Sequence, residues 1–185
     1  MNRKTQTTKE GFTLIETLIA ITVMLIAVVA PMSLAQDGIT AARLAQDQIV
    51  AFYLAQEGVE VTRNMRDYNK LNGFDQLAGP LESQCEVNPL VPAERGCIID
   101  ATESAGQYFV TTRCSSSGCP VIKSNSERYT YDNDPAFKNT KYTREIKVWY
   151  VEDPDKKDVK VRVTVTWPFL QGTRSYTLQE NLLAW

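Results

Sequence analysis

The sequence contains no histidine, and this absence closes off a large block of chemistry. Ser/His/Asp and Cys/His nucleophilic systems, histidine general bases and zinc sites that need an imidazole ligand are all excluded. Net charge is also scarce. The 20 basic and 22 acidic side chains leave a formal balance of -2, and the two signs are interleaved along the chain. A phosphate backbone requires a concentrated excess of Lys and Arg, so nucleic acid is not an expected partner. There is no internal repeat, acidic tail or low-complexity block, and the four cysteines form no CxxC knuckle. A chain of 185 residues bounds the protein to one or at most two small domains.

Charge is most conspicuously missing near the N-terminus. Residues 12–32, FTLIETLIAITVMLIAVVAPM, carry a single charged side chain, Glu16. As a helix this run would be about 31 Å long, which matches the hydrocarbon core of a bilayer. The polar leader before it, MNRKTQTTKEG, has a small basic excess from Arg3, Lys4 and Lys9. That excess would keep the N-terminus in the cytoplasm and send everything after Met32 to the other side. A cleaved secretory signal is one alternative, with Ser33-Leu34-Ala35 as a small-x-small cleavage site. The apolar run is longer than the usual h-region of about 7 to 15 residues and holds a carboxylate near its start, so an uncleaved or differently processed anchor is the favoured reading. An ionised group at the bilayer centre costs about 2.5 to 3.5 kcal/mol. Glu16 would lie nearer the interface, where it either snorkels to the headgroups beside the positive helix end or meets a specific cation in an assembled, lipid-poor environment.

Gly11 followed by Phe12-Thr13-Leu14-Ile15-Glu16, after a basic leader and before about twenty apolar positions, resembles the N-terminal signature of type IV pilins and type II secretion pseudopilins. The resemblance covers residues 10–35. It implies that a membrane-embedded aspartyl prepilin peptidase cuts between Gly11 and Phe12 and N-methylates the new terminal residue, Phe12. It further implies that Glu16 pairs with the amino terminus of a neighbouring subunit. Burying either charge alone is expensive, whereas pairing them favours one axial register as a subunit leaves the bilayer. Leu14, Ile15, Leu18, Ile19, Val23, Leu25, Ile26, Val28 and Val29 would then face lipid before assembly and the filament core afterwards. Pro31 lacks the N–H that a helix interior needs and is expected to kink or locally unwind the helix, or else to mark a boundary between membrane and aqueous helices. Gly38 is a second possible soft point.

From Asp37 to Asp67 the pattern is helical. Ile39, Ala42, Ile49, Phe52, Leu54, Ala55, Val59 and Met65 supply an apolar stripe, and Arg43, Asp47, Gln48, Glu57, Glu60, Arg63 and Arg66 supply much of the polar remainder. Glu57 and Glu60 are read as surface charges on a packing helix and not as an acid/base pair. The helix should end where residues 68–80, YNKLNGFDQLAGP, bring asparagine, glycine and proline together. The middle of the chain is loop-rich, with QYFVTTR at residues 107–113 as the first plausible strand. Strand signals strengthen in KYTREIKVWYV (residues 141–151), which places Ile146, Val148 and Tyr150 on one face. DVKVRVTVTW (residues 158–167) alternates Val159, Val161, Val163, Val165 and Trp167 with polar residues. After a turn at Gly172, TRSYTLQENL completes an antiparallel meander. The expected class is α+β and pilin-like: a long N-terminal helix, membrane-spanning then amphipathic, packed on a C-terminal antiparallel sheet. The expected parts are a leader (residues 1–11), a membrane or filament-core helix (residues 12–32) and an exported domain (residues 33–185). The final 25 residues or so resemble minor pilins of the PilV-like group and the small minor pseudopilins.

Cys85, Cys97, Cys114 and Cys119 all lie in the part expected to be exported, where oxidation favours disulfides. Three pairings are possible. Cys85 with Cys97 and Cys114 with Cys119 is favoured, because the second pair brackets only SSSG. Asp153, Asp155 and Asp158 in one turn, and Asp132 and Asp134 in another, do not match a calcium loop with its distal glutamate. Ser115, Ser116 and Ser117 lack any base or phosphate-binding frame, and Trp149, Trp167 and Trp185 are read as sheet packing. No cofactor, metal or catalytic residue is expected. The expected role is that of a pilus subunit of the minor, initiating or modifying kind. Its partners would be other pilin subunits in a helical filament, prepilin peptidase, the inner-membrane assembly platform, and the membrane itself before assembly. Its location would be the cytoplasmic membrane, single-pass, and then an extracellular pilus or periplasmic pseudopilus. A secretion pseudopilin, a DNA-uptake pilus subunit and a membrane-anchored binding module or adhesin are the alternatives.

Overall fold

The structure, a computed structural model, describes residues 11–91, 93–101, 109–151 and 158–183, the side chain of Ala30 excepted. One helix, α1, spans Leu14–Leu71. The chain divides into two compact units, one ending at Ala45 and the other beginning at Gln46, and α1 contributes residues to both.

In the first unit, α1 starts at a capping sequence. Thr13 precedes the first helical residue, and the backbone N–H of Glu16 donates to its Oγ1 at 3.3 Å. This Thr-x-x-Glu spacing is that of a capping box. The helix then continues through Pro31 and Gly38 without unwinding. Pro31 withholds one N–H from the carbonyl of Ala27, but the flanking helix tolerates the loss and no boundary forms there. The helix ends where Gly73 adopts φ +76. Gly73 N–H donates to Lys70 O at 3.1 Å and Phe74 N–H to Asn69 O at 2.9 Å, which is the Schellman arrangement that a left-handed glycine permits. Residues 68–71, expected to leave the helix, form its last turn instead.

In the second unit, α1 lies against an antiparallel sheet organised around its long central strand, β5. The strands are β1 (Cys97–Asp100), β2 (Val110–Arg113), β3 (Val121–Ser124), β4 (Tyr129–Thr130), β5 (Lys138–Tyr150), β6 (Val159–Phe169) and β7 (Gly172–Leu182). One side of β5 pairs with β6, which pairs with β7. Its other side is shared by β3 at residues 138–143 and β1 at Ile146. β1 pairs onward with β2, and β3 with β4. Strand β1 lies in a region expected to be loop, and of the expected 107–113 strand only residues from Val110 onward are in β2. A single π-helical turn, Leu81–Cys85, also interrupts the expected loop.

The register Ile146↔Val163↔Leu178 fixes which face each strand turns inward. Val159, Val161, Val163, Val165 and Trp167 are buried, as a period of two requires for a strand with one covered face. Ala51, Leu54, Ala55, Val59 and Met65 of α1 are buried as well. The helix approaches closely at Gly58, where an added Cβ would lie 3.0 Å from Val163 Cγ1. Ile39 and Ile49, expected on the buried stripe, are exposed. The turn between β6 and β7 is Leu170–Gln171, with Leu170 at φ 52, while Gly172 pairs with Phe169 as the first residue of β7.

Cys85 is bonded to Cys97 and Cys114 to Cys119, leaving no free cysteine. The first bond ties the π-helical turn to β1 and the second closes a turn beside β2. Loop closure over these separations stabilises a fold by about 2 to 3 kcal/mol each.

Candidate functional site

The segment Gly11-Phe12-Thr13 is non-helical and exposed, with α1 beginning one residue later. Phe12 is 81% exposed. Gly11 has open space where a Cβ would stand and no positive φ, so neither packing nor backbone conformation requires glycine there. The fold is indifferent to the residue type at position 11. Glu16 lies in the first helical turn, exposed, and its carboxylate makes no hydrogen bond or ion pair among the described residues.

Beyond Glu16 the helix is apolar on every side. Leu14, Leu18, Ile21, Leu25, Val28 and Met32 are all more than half exposed, and so are Ile15, Ile19, Val23, Met24, Ile26 and Val29. At 100° per residue these positions cover the whole circumference, the pattern of a helix surrounded by apolar material rather than packed by one face. The mean hydropathy reaches 2.5 with none of the window buried. The two hydroxyls in this stretch are already satisfied: Thr17 Oγ1 donates to Leu14 O and Thr22 Oγ1 to Ile19 O, each at 2.8 Å. Hydroxyls bonded back to the preceding turn present no unpaired donor to hydrocarbon.

The other sequence-flagged groups are structural where they are described. Asp132 accepts from Asp134 N at 3.2 Å, and Asp134 accepts from Ala136 N at 2.8 Å, so both carboxylates shape their own turn. Asp153, Asp155 and Trp185 lie outside the described residues, as do Met1–Glu10 of the leader. No metal-ligating group of three acidic or cysteine side chains occurs among the described residues. Ser115 Oγ lies 2.7 Å from Ser117 Oγ and bonds Gly118 O at 3.0 Å within the disulfide-closed turn. Glu57 pairs with Arg144 at 3.2 Å and Glu60 with Arg63 at 2.7 Å. Trp167 is core, and Trp149 is covered by the Arg162 guanidinium 5.0 Å above its ring.

Three charged side chains behave differently from their sequence pattern. Asp47 and Arg66, assigned to the polar face of α1, are buried, as is Arg144 on the inward face of β5. Arg66 donates to Leu183 O at 2.9 Å and pairs with Asp67. Arg144 donates to Leu54 O at 3.1 Å and Ile99 O at 2.9 Å, tying α1 to β1 through β5. The parity of β5 offered a signal for Arg144, since it lies two residues before Ile146. Asp47 had none, because its partners are 94 and 95 positions away.

One family description, prokaryotic N-terminal methylation motif, matches residues 7–30. No curated protein and no solved structure gives a match. The match is confined to the N-terminal segment and supports a signal of the type IV pilin or pseudopilin kind, the kind that prepilin peptidase processes. Together with the apolar helix it supports a single-pass membrane anchor before assembly.

Proposed function

We propose that the protein is a minor or initiating subunit of a type IV pilus, cleaved between Gly11 and Phe12, N-methylated at Phe12, and assembled through its N-terminal helix. The reading is carried by one juxtaposition: a carboxylate, unpartnered among the described residues, in the first turn of a helix that is apolar all round. Cleavage would place an α-amino cation at Phe12, four residues from Glu16. In hydrocarbon or in a filament core each charge needs an opposite one, and a neighbouring subunit's amino terminus would supply it. Glycine at position 11, which the fold does not require, is then explained by the peptidase that reads it.

On this reading residues 1–11 are a cytoplasmic leader, residues 12–32 serve the membrane and then the filament core, and residues 33–185 are exported. The two disulfides suit an oxidising compartment. The minor role, and the PilV-like likeness of the C-terminal strands, rest on sequence resemblance alone. Intact mass of the protein from native cells tests the proposal. Loss of residues 1–11 with gain of one methyl group is expected; cleavage after Ala35 or an uncut chain would overturn it. Copy number well below that of a major pilin in sheared filaments is the expected sign of a minor subunit.

A further inference from the structure

Strand β7 is an open edge of the sheet. It is 11 residues long, pairs residue for residue with β6, and has no other strand partner among the described residues. Val151 N–H donates to Asp158 O at 2.8 Å where β5 and β6 meet. Hydrogen-bonding positions alternate along an antiparallel pair, so the even-numbered residues of β6 bond to β5 and the odd-numbered ones to β7. Through the register Val163↔Leu178, the even-numbered residues of β7 are the ones bonded to β6. Thr173, Ser175, Thr177, Gln179 and Asn181 therefore turn their N–H and C=O groups outward, and no backbone hydrogen bond reaches them among the described residues. Long edges are ordinarily shielded by proline, lysine, a bulge or short length. Strand β7 has none of these, whereas β2 and β4, at other edges of the sheet, are four and two residues long.

The residues of β7 specify what would cover that edge. Its only charged side chains are Arg174 and Glu180, placed symmetrically about its midpoint, Thr177. Turned antiparallel about Thr177, a second β7 sets Arg174 opposite Glu180 at both ends and Tyr176 opposite Leu178, while the five outward residues meet one another in bonded pairs. Centring the pair on Tyr176 or Leu178 instead puts Arg174 against Leu178 or Leu182 and breaks both ion pairs. Arg174 makes no side-chain hydrogen bond or ion pair among the described residues, so it is available to the second copy; Glu180 has Arg63 on the helix side. We propose that β7 is a self-association edge, through which two copies of this chain join in one continuous antiparallel sheet with about ten intermolecular backbone hydrogen bonds. The two-fold axis crosses the sheet at Thr177, so α1 from Gln46 onward runs in opposite directions in the two copies. The pair is thus open to subunits that meet from opposite sides and closed to parallel neighbours in one filament. It does not depend on cleavage after Gly11.

Sedimentation equilibrium of the full chain in a density-matched neutral detergent tests this, with circular dichroism to confirm the fold of each variant. A dimer is expected. Thr177→Pro removes the central outward N–H, leaves the bonds to β6 in place, and should return the chain to monomer. Arg174→Glu and Glu180→Arg, each alone, set like charges opposite one another twice and should weaken the dimer by about tenfold. Mixed together, the two variants should pair with each other about as tightly as the unaltered chain does, because every Glu then meets an Arg. Register is read by adding single cysteines. Thr177→Cys should oxidise to a disulfide-linked dimer, since directly opposed Cα atoms about 5.5 Å apart lie within disulfide reach. Ser175→Cys should do so only when mixed with Gln179→Cys. A monomeric unaltered chain, a dimer that survives Thr177→Pro, or cross-linking of Ser175→Cys alone as efficient as that of Thr177→Cys would each overturn the proposal.

Discussion

The Tyr142 hydroxyl donates to Asp47 Oδ1 across 3.0 Å, joining β5 to α1 between residues 95 positions apart. Lys141 Nζ reaches Asp47 Oδ2 at 2.7 Å from the neighbouring position, so one buried carboxylate receives two donors from adjacent residues of a strand. Burial and the Asp47 carboxylate both raise the Tyr142 hydroxyl above its ordinary value. Asp47→Ala should therefore destabilise the protein by about 2 kcal/mol, the cost of leaving charged-group hydrogen bonds unmade, and Asp47→Asn by less. Urea unfolding followed by tryptophan fluorescence would measure both. In the unaltered chain, Tyr142 should remain protonated well above the pH at which a free tyrosine ionises, and its contribution to stability should be lost only in strongly alkaline solution.

Gly96 is required by contact. A Cβ there would stand 2.1 Å from Ile146 O, where β1 begins to pair with β5. Backbone must move to admit it, so Gly96→Ala should cost about 3 kcal/mol or more. Gly58→Ala, whose nearest neighbour is a valine methyl at 3.0 Å, should cost less, because a side chain yields more readily than a paired strand. Thermal midpoints of the two variants should differ in that order.

Leu170 occupies the left-handed region at φ 52 and is 80% exposed. An L-residue other than Gly, Asn or Asp is strained there by about 1 to 2 kcal/mol. Leu170→Asn should raise stability by about 0.5 to 1 kcal/mol and leave the β6–β7 register unchanged, as amide hydrogen exchange along β7 would show.

Glu86 offers a test with a defined sign. Burial, and then the carboxylates of Glu82, Asp75 and Glu94, raise its folded carboxyl above the ordinary value of 4.5, so the ionised form is the disfavoured one in the fold. Its stabilising effect is present when protonated and is lost as pH rises through the window above 4.5. Glu86→Gln should accordingly raise the melting midpoint at pH 7 and leave it nearly unchanged at pH 4. A larger gain at pH 4 than at pH 7 would contradict the crowding of carboxylates around Glu86.

For the N-terminal site, Glu16→Ala is expected to preserve membrane insertion and cleavage after Gly11 while lowering incorporation into sheared filaments by at least about tenfold, the factor for 1.4 kcal/mol. Quantitative immunoblots of membrane and filament fractions would separate the two effects. Normal incorporation would sink the assembly role.

The helix, the three C-terminal strands and the α+β layering were legible because each rests on a local period: 3.6 in residues 37–67 and two in residues 159–167. Gly73, the residue that ends α1, was visible as one of a cluster of breakers. Strand β1 was not legible. Cys97–Asp100 is three apolar residues followed by an aspartate, too short to show any alternation, and only pairing with β2 and β5 makes it a strand. The burial of Asp47 and Arg66 was equally hidden, since charge on a helix predicts solvent unless a distant partner is known.

What the sequence alone determined was the N-terminal signature with its single carboxylate, the apolar helix that follows, and the sides of β5 and β6 that turn inward. These are consequences of order along the chain, where neighbouring positions set both period and spacing. Tertiary structure decided the rest. Asp47 meets Lys141 and Tyr142, Arg144 bridges α1 and β1, and Glu82, Glu86 and Glu94 gather beside Leu90 only because β5 carries partners on both of its edges. Contacts of that kind join positions tens of residues apart, and no local pattern records them.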